Sequence, residues 1–323
     1  MNRSAAALAH PNIAFIKYWG NRDDALRLPA NGSVSMNLAA LHTQTSVSFR
    51  DDLREDVLTI DGKEISGAAL ARVKAFMDQV RRLAPDAGFA EIVSKNNFPM
   101  GVGIASSAAA FAALAMAAES SAGLNLKEND CSRLARLGSG SACRSVPDGF
   151  CEWAPGSGDK DSFAVSIAPA SHWELTDLIA LISDTHKKVG SSAGHMSALT
   201  SPFQAERVRT APERVLKCRK AILEKDFEAL AEVSEQDMIM MHSVMMTQDP
   251  PLLYWEPATI QTIKAVRGWR EEGLECFATV DAGPNVHVIC SAAAAPAVKE
   301  RLETISGIRD VLSSGPGGKA ELL

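Results

Sequence analysis

Two residues of opposite charge follow apolar runs, where charged side chains are uncommon. Lys17 follows the apolar run 14–16, and Asp281 follows the apolar run 276–280. If each run is a buried strand, the Lys17 ammonium needs an anionic partner, and the Asp281 carboxylate points into whatever cleft lies there. Two simpler explanations remain open at this point. Lys17 could extend its amine into solvent, and Asp281 could cap the sharp turn 281–285.

A third charged residue, Arg144, lies among small residues in the segment 138–145. Small residues allow the backbone to approach a ligand closely, and a guanidinium can bind a carboxylate or a phosphate through two parallel hydrogen bonds. The chemistry that this segment suggests is therefore anion binding. The alternative is an ordinary solvated turn.

A glycine-rich loop precedes an alanine-rich helix in the stretch 98–123. It begins with Pro99 and two glycines, passes through Ser106 and Ser107, and continues into strong helix-forming sequence that ends at Gly123. Such a loop presents unpaired backbone N–H groups and the positive end of a helix dipole, a combination that suits a phosphate. The alternative is a tight turn into a buried helix. A second small-residue loop nearby favours phosphate binding.

These residues must be positioned by a mixture of strands and helices. Alternating polar and apolar residues predict half-buried strands, and apolar residues three and four apart predict amphipathic helices. The predicted strands are 14–16, 33–38, 45–49, 57–60, 91–93, 163–167, 178–182, 276–280 and 286–290. The predicted helices are 68–83, 108–119, 127–137, 205–224, 227–244, 259–272 and 294–303. A chain of 323 residues suits two lobes, and the polar segment 184–195 is the predicted switch between them.

The composition, with 46% apolar and 22% charged residues, is that of an ordinary soluble globular protein. A net charge of −6 without a basic block argues against nucleic-acid binding. No apolar run reaches the roughly 18 to 20 residues that span a bilayer, and the N-terminus is a poor signal peptide. Six cysteines without a CxxC spacing predict reduced thiols and a cytoplasmic location. The methionine cluster 238–246 predicts adaptable core.

Four short motifs together resemble the signatures of the mevalonate diphosphate decarboxylases. They are HPNIAFIKYWG at 10–20, PMGVGIASSA at 99–108, SGSACR at 139–144 and DAGPN at 281–285. The motifs occur in the order and at the spacing of that family, and they extend over most of the chain. The family belongs to the superfamily of galactokinase and of the homoserine, mevalonate and phosphomevalonate kinases, the GHMP kinases.

The resemblance implies a two-lobed α+β fold of the GHMP-kinase type and a homodimer. The N-terminal lobe, 1–184, would bind ATP and resemble domain 2 of ribosomal protein S5, and the C-terminal lobe, 185–323, would be ferredoxin-like. The resemblance also implies ATP with Mg²⁺, and small-molecule substrates that are 3-hydroxy-3-methyl acids carrying a 5-phosphate or 5-diphosphate. In the family reaction the tertiary hydroxyl is phosphorylated, and that phosphate then leaves together with CO₂ to give an isopentenyl phosphate.

Individual residues receive roles from the same resemblance. Asp281 would orient or deprotonate the tertiary hydroxyl, Lys17 would keep Asp281 ionised and offset phosphoryl charge, and Arg144 would hold the substrate carboxylate. The implied nucleotide and Mg²⁺ contacts are Ser94, Asn96, Gly101, Gly103, Ala105, Ser106 and Ser107, with Ser106 or Ser107 nearest the metal. The implied substrate contacts are Tyr18, Asn21, Ser139, Ser141, Arg144, Ser192 and Ala193.

Two positions depart from the pattern of the diphosphate-using family. The residue after Tyr-Trp-Gly is typically a lysine that reaches the terminal phosphate, and here it is Asn21. After the lysine pair the family usually has a polar or basic residue where this chain has Ala193. Losing one charge-assisted contact costs a phosphate site roughly 1.5 to 3 kcal/mol, or about one to two decades of affinity. The sequence therefore predicts mevalonate 5-phosphate as the substrate and isopentenyl phosphate as the product.

Three other functions stay open. Mevalonate 5-diphosphate could still be the substrate if the neighbouring Arg22 compensates for the missing lysine. A mevalonate 3-kinase that stops after phosphorylation would lack the combination of Asp281, Lys17 and Arg144, which is present here. A catalytically silent, nucleotide-binding regulator would have lost these chemical residues while keeping the fold.

Overall fold

The computed structural model of the chain describes residues 3–98, 106–183 and 190–323. Its strands are β1 (Arg3–Ala9), β2 (Asn12–Ile16), β3 (Asn21–Asp23), β4 (Leu28–Pro29), β5 (Ser33–Asn37), β6 (Thr43–Arg50), β7 (Val57–Ile60), β8 (Lys63–Glu64), β9 (Phe89–Asn96), β10 (Phe150–Trp153), β11 (Ala164–Ala168), β12 (Leu175–Leu181), β13 (Cys276–Thr279), β14 (Val286–Ser291), β15 (Asp310–Ser314) and β16 (Glu321–Leu322). Its α-helices are α1 (Gly67–Leu83), α2 (Ser106–Ser121), α3 (Glu128–Gly138), α4 (Ser191–Ser197), α5 (Gln204–Glu224), α6 (Phe227–Thr247), α7 (Pro257–Glu271) and α8 (Ala295–Glu303). Short 3₁₀ helices occupy Gly140–Ser145, Ala170–His172 and Ala198–Thr200.

A first sheet carries the helix that follows the glycine-rich loop. Its strand order is β16-β1-β6-β9-β7-β8, and neighbours run antiparallel except for β7 beside β9. Helix α2 lies against β1 and β6. Alanines such as Ala109, Ala112 and Ala113 are fully buried, and their small side chains let α2 approach the sheet closely. Because α2 begins at Ser106, this packing determines where its N-terminal N–H groups point.

A second sheet, with the order β11-β10-β5-β2, positions Lys17. Strand β2 is buried along its whole length and pairs antiparallel with β5. Ile13 and Phe15 of β2 share a hydrophobic core with Val215 of α5 and Leu230 of α6. Lys17 follows this strand directly, so the packing of α5 and α6 on β2 determines where its side chain begins.

A third sheet, with the antiparallel order β13-β14-β12-β15, positions Asp281. One face, which includes Phe277, contributes to the core of the second sheet, and the other face packs against α7 and α8. The rings of Phe15 and Phe277 have centroids 6.2 Å apart. This shared core brings the ends of β2 and β13 together, and with them Lys17 and Asp281.

The α+β class that the sequence predicts is confirmed, and most predicted strands and helices are present within a few residues of their predicted ends. Strand β1 is not predicted from the sequence, because it is mostly alanine and is held by its pairing with β6. Strand β10 is not predicted either, because it is too short for a clear alternation. The segment 138–145, predicted as a loop, instead ends α3 at Gly138 and forms the 3₁₀ helix Gly140–Ser145, because small side chains tolerate its tight turn. The predicted lobe boundary at 184/185 lies outside the described residues and stays a prediction.

The helices in the described ranges include none long and apolar enough to cross a membrane. All six cysteines are free thiols and are buried. The prediction that the methionine cluster forms core is confirmed for Met238, Met241 and Met245, which are buried.

Candidate active site

A buried ion pair joins the ends of β2 and β13. Lys17 Nζ lies 2.7 Å from Asp281 Oδ1, and the two side chains are 1% and 25% exposed. Lys17 therefore does not extend its amine into solvent, the simpler explanation that its sequence position left open. The exposed edge of Asp281 leaves the carboxylate within reach of a bound molecule.

The surroundings favour the ionised form of Asp281. Burial by itself favours the protonated acid, but the neighbouring Lys17 ammonium, together with His287 and Arg144, outweighs burial and lowers the pKa of Asp281. Burial lowers the pKa of Lys17, and the charge of Asp281 opposes that shift. Asp281 is thus ionised at neutral pH, and its carboxylate can accept a hydrogen bond.

The guanidinium of Arg144 is buried among uncharged oxygens. Nε donates to Ser35 Oγ at 3.0 Å, and Nη1 donates to Ser33 Oγ at 2.6 Å. Nη2 donates to Asn12 Oδ1 at 3.1 Å. Burial lowers the pKa of Arg144, and these three partners orient its side chain without neutralising it. A buried cation with neutral partners favours the binding of an anion.

Both polar atoms of the Asn21 side-chain amide form hydrogen bonds. Its Oδ1 accepts a short hydrogen bond from the Tyr18 hydroxyl, and its Nδ2 donates to Asp24 Oδ1 at 2.8 Å. The Asn21 side chain is 8% exposed. An uncharged amide with both polar atoms hydrogen-bonded therefore occupies the position at which the sequence resemblance predicts a lysine in diphosphate-using enzymes.

His195 packs against the same tyrosine. Its ring stacks on Tyr18 with centroids 4.1 Å apart and is tilted against Trp19 at 4.5 Å. Its Nδ1 accepts a hydrogen bond from the Gly20 N–H at 2.9 Å. Burial and nearby guanidinium groups lower the pKa of His195 to about 3, so its imidazole is neutral at neutral pH.

The small-residue segment around Arg144 meets the start of α2. Ser139 Oγ lies 3.1 Å from Ser107 Oγ, so the two predicted anion-binding segments are in contact. The Ser141 carbonyl accepts a hydrogen bond from Asn12 Nδ2 at 3.2 Å, and Asn12 also binds Arg144. The fold thus brings the N-terminus of α2, the 3₁₀ helix and β2 to one place.

A cavity of about 250 Å³ lies between α1, α2 and the first sheet. Its walls are mainly apolar, and Ser94, Ser106 and Ser107 contribute polar groups. The Arg72 guanidinium lies 4.7 Å above the centre of the Phe111 ring on one side of the cavity. Apolar walls with a few polar groups are typical of a small-molecule site.

Ser94 and Asn96 differ in their access to this cavity. Ser94 lines it and exchanges a hydrogen bond with Thr45 Oγ1 at 3.0 Å. Asn96 is not among its lining residues, and its side chain is bonded to Thr43 and Asp61. Of the two predicted nucleotide contacts on β9, Ser94 is therefore the one beside the cavity.

Several predicted site positions fall outside the part of the chain that the structure describes: Gly101, Gly103 and Ala105, and the side chains of Ser192 and Ala193. Their roles stay predictions. After the glycine-rich loop, the described part of the chain resumes at Ser106, the first residue of α2.

Arg72, His195 and Asp237 lie at or beside the site but were not among the residues predicted from the sequence. Asp237 accepts a hydrogen bond from the Lys17 N–H at 2.6 Å. Its position in an apolar, methionine-rich part of the sequence could have indicated a buried carboxylate, and a buried charge needs partners. Arg72 and His195 carried no comparable signal, since an arginine on an amphipathic helix and a histidine in a polar segment are usually solvated.

Two family models match the chain. A model described as the diphosphomevalonate decarboxylase-like N-terminal domain matches residues 9–164. A model described as the mevalonate 5-diphosphate decarboxylase C-terminal domain matches residues 177–315. Together they account for more than half of the chain.

Similar proteins carry related names. The diphosphomevalonate decarboxylase of Candida albicans is 38% identical over 300 residues, which are 87% of this chain and 83% of the relative. The phosphomevalonate decarboxylase of Haloferax volcanii is 34% identical over 320 residues, which are 99% of this chain and 97% of the relative.

Solved structures agree with these matches. The mevalonate diphosphate decarboxylase of Staphylococcus aureus has a TM-score of 0.94 at 36% identity and covers 100% of this chain and 98% of its own. A complex of MDDEF with MVAPP, AMPPCP and magnesium has a TM-score of 0.94 at 39% identity and covers 100% and 99%. The chain therefore belongs to the mevalonate diphosphate decarboxylase family, with the two-lobed GHMP-kinase fold.

Proposed function

We propose that the protein is an ATP-dependent decarboxylase that converts mevalonate 5-phosphate into isopentenyl phosphate, ADP, phosphate and CO₂. Family membership and the Lys17–Asp281 ion pair support the reaction class. The observation that carries the choice of substrate is the neutral, fully engaged side chain of Asn21. Such a step belongs to isoprenoid biosynthesis by the mevalonate route.

The cavity beside α2 fits a nucleotide. Its apolar walls and the Phe111 ring suit a base, and Ser94 suits a sugar hydroxyl. The N-terminus of α2, where Ser107 Oγ lies 3.1 Å from Ser139 Oγ, suits the phosphates. When bound, ATP would supply the phosphoryl group that turns the tertiary hydroxyl into a leaving group. A similar protein, MDDEF, is known in complex with AMPPCP and magnesium.

The hydroxyl of Ser106 or Ser107 would be the protein's ligand to Mg²⁺. Among the residues described, no group of three or more His, Cys, Asp or Glu side chains is arranged to hold a metal ion. Mg²⁺ in phosphoryl-transfer sites is held largely by phosphates and water, so a single serine hydroxyl is a compatible protein contribution.

Arg144 would hold the substrate's C1 carboxylate. Its guanidinium is oriented by Ser33, Ser35 and Asn12, all uncharged, so its full charge is available to the substrate. A planar guanidinium binds a carboxylate through two parallel hydrogen bonds, which fixes the direction of the adjoining carbon–carbon bond. This is the bond that breaks when CO₂ leaves.

Asp281 would orient the tertiary hydroxyl and accept its proton. A tertiary alcohol is a poor nucleophile, and the ionised Asp281 carboxylate offers an acceptor at the exposed edge of the ion pair. Lys17 keeps that carboxylate ionised, and its ammonium favours negative charge that develops on oxygens nearby. The proton that Asp281 takes would later pass to solvent through its exposed edge.

The end of the site near Tyr18 suits one phosphate rather than two. Asn21 and the neutral His195 add no positive charge there, and the Arg27 guanidinium, whose charge acts on both Tyr18 and His195, donates from Nε to the Leu137 carbonyl at 2.9 Å. The nearby Arg22 donates to the Pro155 carbonyl at 2.8 Å, which directs its guanidinium toward Pro155 but leaves its charge in place. Ala193 supplies no basic side chain either, which also disfavours the binding of a second phosphate.

Mevalonate 5-diphosphate is the alternative substrate, in keeping with the names of several relatives. A 3-kinase without decarboxylation and a silent regulator are disfavoured, because Asp281, Lys17 and Arg144 are all present and close enough to interact electrostatically.

The test is a parallel assay of ATP consumption and CO₂ release with mevalonate 5-phosphate and mevalonate 5-diphosphate. We expect kcat/KM to be at least about tenfold higher for the monophosphate, from the cost of one missing charged contact. Equal or better turnover of the diphosphate would reverse the choice of substrate. A phosphorylated product without CO₂ release would support the 3-kinase instead. No turnover of either compound would support the nucleotide-binding regulator.

We also propose a cytoplasmic homodimer. Met196, Leu199 and Phe203 are 60%, 67% and 53% exposed and follow one another along one segment, as is common where a partner covers an apolar surface. The buried free cysteines are compatible with a reducing compartment. Light scattering should give twice the 34.4 kDa of one chain, and a single-chain mass at micromolar concentration would contradict the dimer.

A further inference from the structure

The backbone of Lys17 is held by side chains rather than by a neighbouring strand. Strand β2 ends at Ile16, so the peptide groups of Lys17 lie beyond the strand. The Lys17 N–H donates to Asp237 Oδ2 at 2.6 Å. The Lys17 carbonyl accepts from Arg207 Nη2 at 2.7 Å and from Asn31 Nδ2 at 3.0 Å. Both sides of this one residue are thus bonded to side chains, two of which come from α5 and α6.

These side chains form one buried network. Arg207 Nη2 lies 3.3 Å from Asp237 Oδ2, and the two side chains are 1% and 0% exposed. Arg214 Nε lies 2.7 Å from the other oxygen, Asp237 Oδ1. Arg207 Nη1 reaches Asn31 Oδ1 at 3.0 Å and the Trp19 carbonyl at 3.5 Å. Because each charged group has several partners, the network has few alternative arrangements.

We propose that Arg207 and Asp237, here called the Lys17 clamp, are positioning residues for the reaction. They hold the N–H and the carbonyl of Lys17, so its side chain starts from a fixed point and a fixed direction. A lysine stem is long and flexible, and its ammonium must stay 2.7 Å from Asp281 Oδ1. This inference rests on the proposed catalytic roles of Lys17 and Asp281.

Stability alone does not account for the clamp. Burying an aspartate between two arginines removes three charges from water, and apolar side chains of similar volume are often as stable or more stable at such sites. Within the network, Arg207 and Asp237 bond directly to the backbone of Lys17, the residue that holds Asp281. The contribution of these two residues is therefore to geometry at the active site.

The test compares Arg207→Met with Arg214→Met in the full chain. Both substitutions lie on α5 and remove one buried guanidinium partner of Asp237, leaving a one-to-one ion pair, but only Arg207 bonds to Lys17. For Arg207→Met we expect kcat per folded molecule to fall about tenfold to a hundredfold, with KM for both substrates within about threefold, because misplacement by about 1 Å has that effect. Arg214→Met should keep kcat within about threefold while losing similar thermal stability.

The pH profile separates positioning from a loss of folded protein. The titratable or charged groups that face Asp281 are Lys17, Arg144, His287 and, on α6, His242, whose pKa is lowered to about 4; Lys17 in turn faces Asp237. If Lys17 is misdirected, it depresses the pKa of Asp281 less, so the acidic limb of kcat against pH moves to higher pH in Arg207→Met. The limb should not move in Arg214→Met. Equal loss of kcat in the two variants, or an unmoved limb in Arg207→Met, would overturn the clamp.

A third variant, Lys17→Met, separates the clamp from the proposed function. Near-normal turnover by Lys17→Met would remove the proposed role of Lys17 itself. If Lys17→Met is inactive and Arg207→Met has normal kcat and an unchanged pH profile, the clamp alone fails.

Discussion

Asp281 combines an exposed edge with a buried ammonium partner, and this combination gives the residue its proposed role as the base. Asp281→Asn keeps the shape but cannot accept a proton, so ATP hydrolysis and CO₂ release should both fall by about two to four orders of magnitude. The matched control is Asp56→Asn, which alters another buried carboxylate that pairs with Arg81 away from the site. Near-normal turnover in Asp281→Asn would mean that another group is the base.

Asn21 is the side chain on which the choice of substrate depends. In Asn21→Lys, a cation would stand where the sequence resemblance predicts one in diphosphate-using enzymes. We expect the ratio of kcat/KM for the diphosphate to that for the monophosphate to rise about tenfold to a hundredfold. Asn21→Met is the control, because it removes the same bonds to Tyr18 and Asp24 without adding charge. The same ratio in the lysine and methionine variants would show that charge at position 21 does not select the substrate.

Helix α3 and the 3₁₀ helix after it approach two different parts of the site through neighbouring glycines. A Cβ added at Gly138 would lie 2.0 Å from Phe111, which lines the cavity proposed to bind the nucleotide. A Cβ added at Gly140 would lie 2.6 Å from the ring of Tyr18. These contacts are too close for any side chain, so the elements can pack this way only because glycine occupies both positions.

Alanine substitutions should separate these two contacts. Gly138→Ala should raise KM for ATP several-fold, and Gly140→Ala should raise KM for the phosphorylated acid, each with about 1 to 3 kcal/mol lost from the free energy of unfolding. Gly268→Ala in α7 is the control, because a Cβ there meets nothing within 4 Å and alanine favours helix. If Gly138→Ala and Gly140→Ala raise the same KM, the two elements do not serve separate parts of the site.

For the molecule as a whole, buried neutral histidines make stability depend on pH. His242 donates from Nε2 to the Val280 carbonyl at 3.1 Å, and burial lowers its pKa to about 4. Burial also lowers the pKa of His195 to about 3. Below the ordinary histidine pKa of about 6.5 the unfolded chain takes up protons that the folded chain does not. Stability is therefore greatest above about pH 6.5 and decreases as pH falls.

Urea unfolding at pH 7 and pH 5 measures this effect. Each of the two histidines should account for roughly 2 kcal/mol of the decrease in the free energy of unfolding between these pH values. In His242→Gln, which has no titrating side chain at this position, the decrease should be smaller by that amount. An equal decrease in the variant and the original protein would mean that His242 is protonated in the folded state.

Local chemistry in the sequence determined the α+β class and indicated the candidate site residues. Lys17 and Asp281 are recognisable because each follows an apolar run, and Arg144 because it lies among small residues. Strong helix-forming sequence similarly located α2, and apolar residues at helical spacing located α1. These features depend on residues that are close in the chain, so a pattern within a short window is enough to reveal them.

Only the tertiary structure decided which of these residues meet and what surrounds them. Lys17 and Asp281 are separated by 264 positions, and they form an ion pair because the cores under β2 and β13 are continuous. Asp237 and Arg207 reach the Lys17 backbone because α5 and α6 pack on β2. Contacts of this kind follow from how whole elements pack, and short-range residue patterns do not encode that packing.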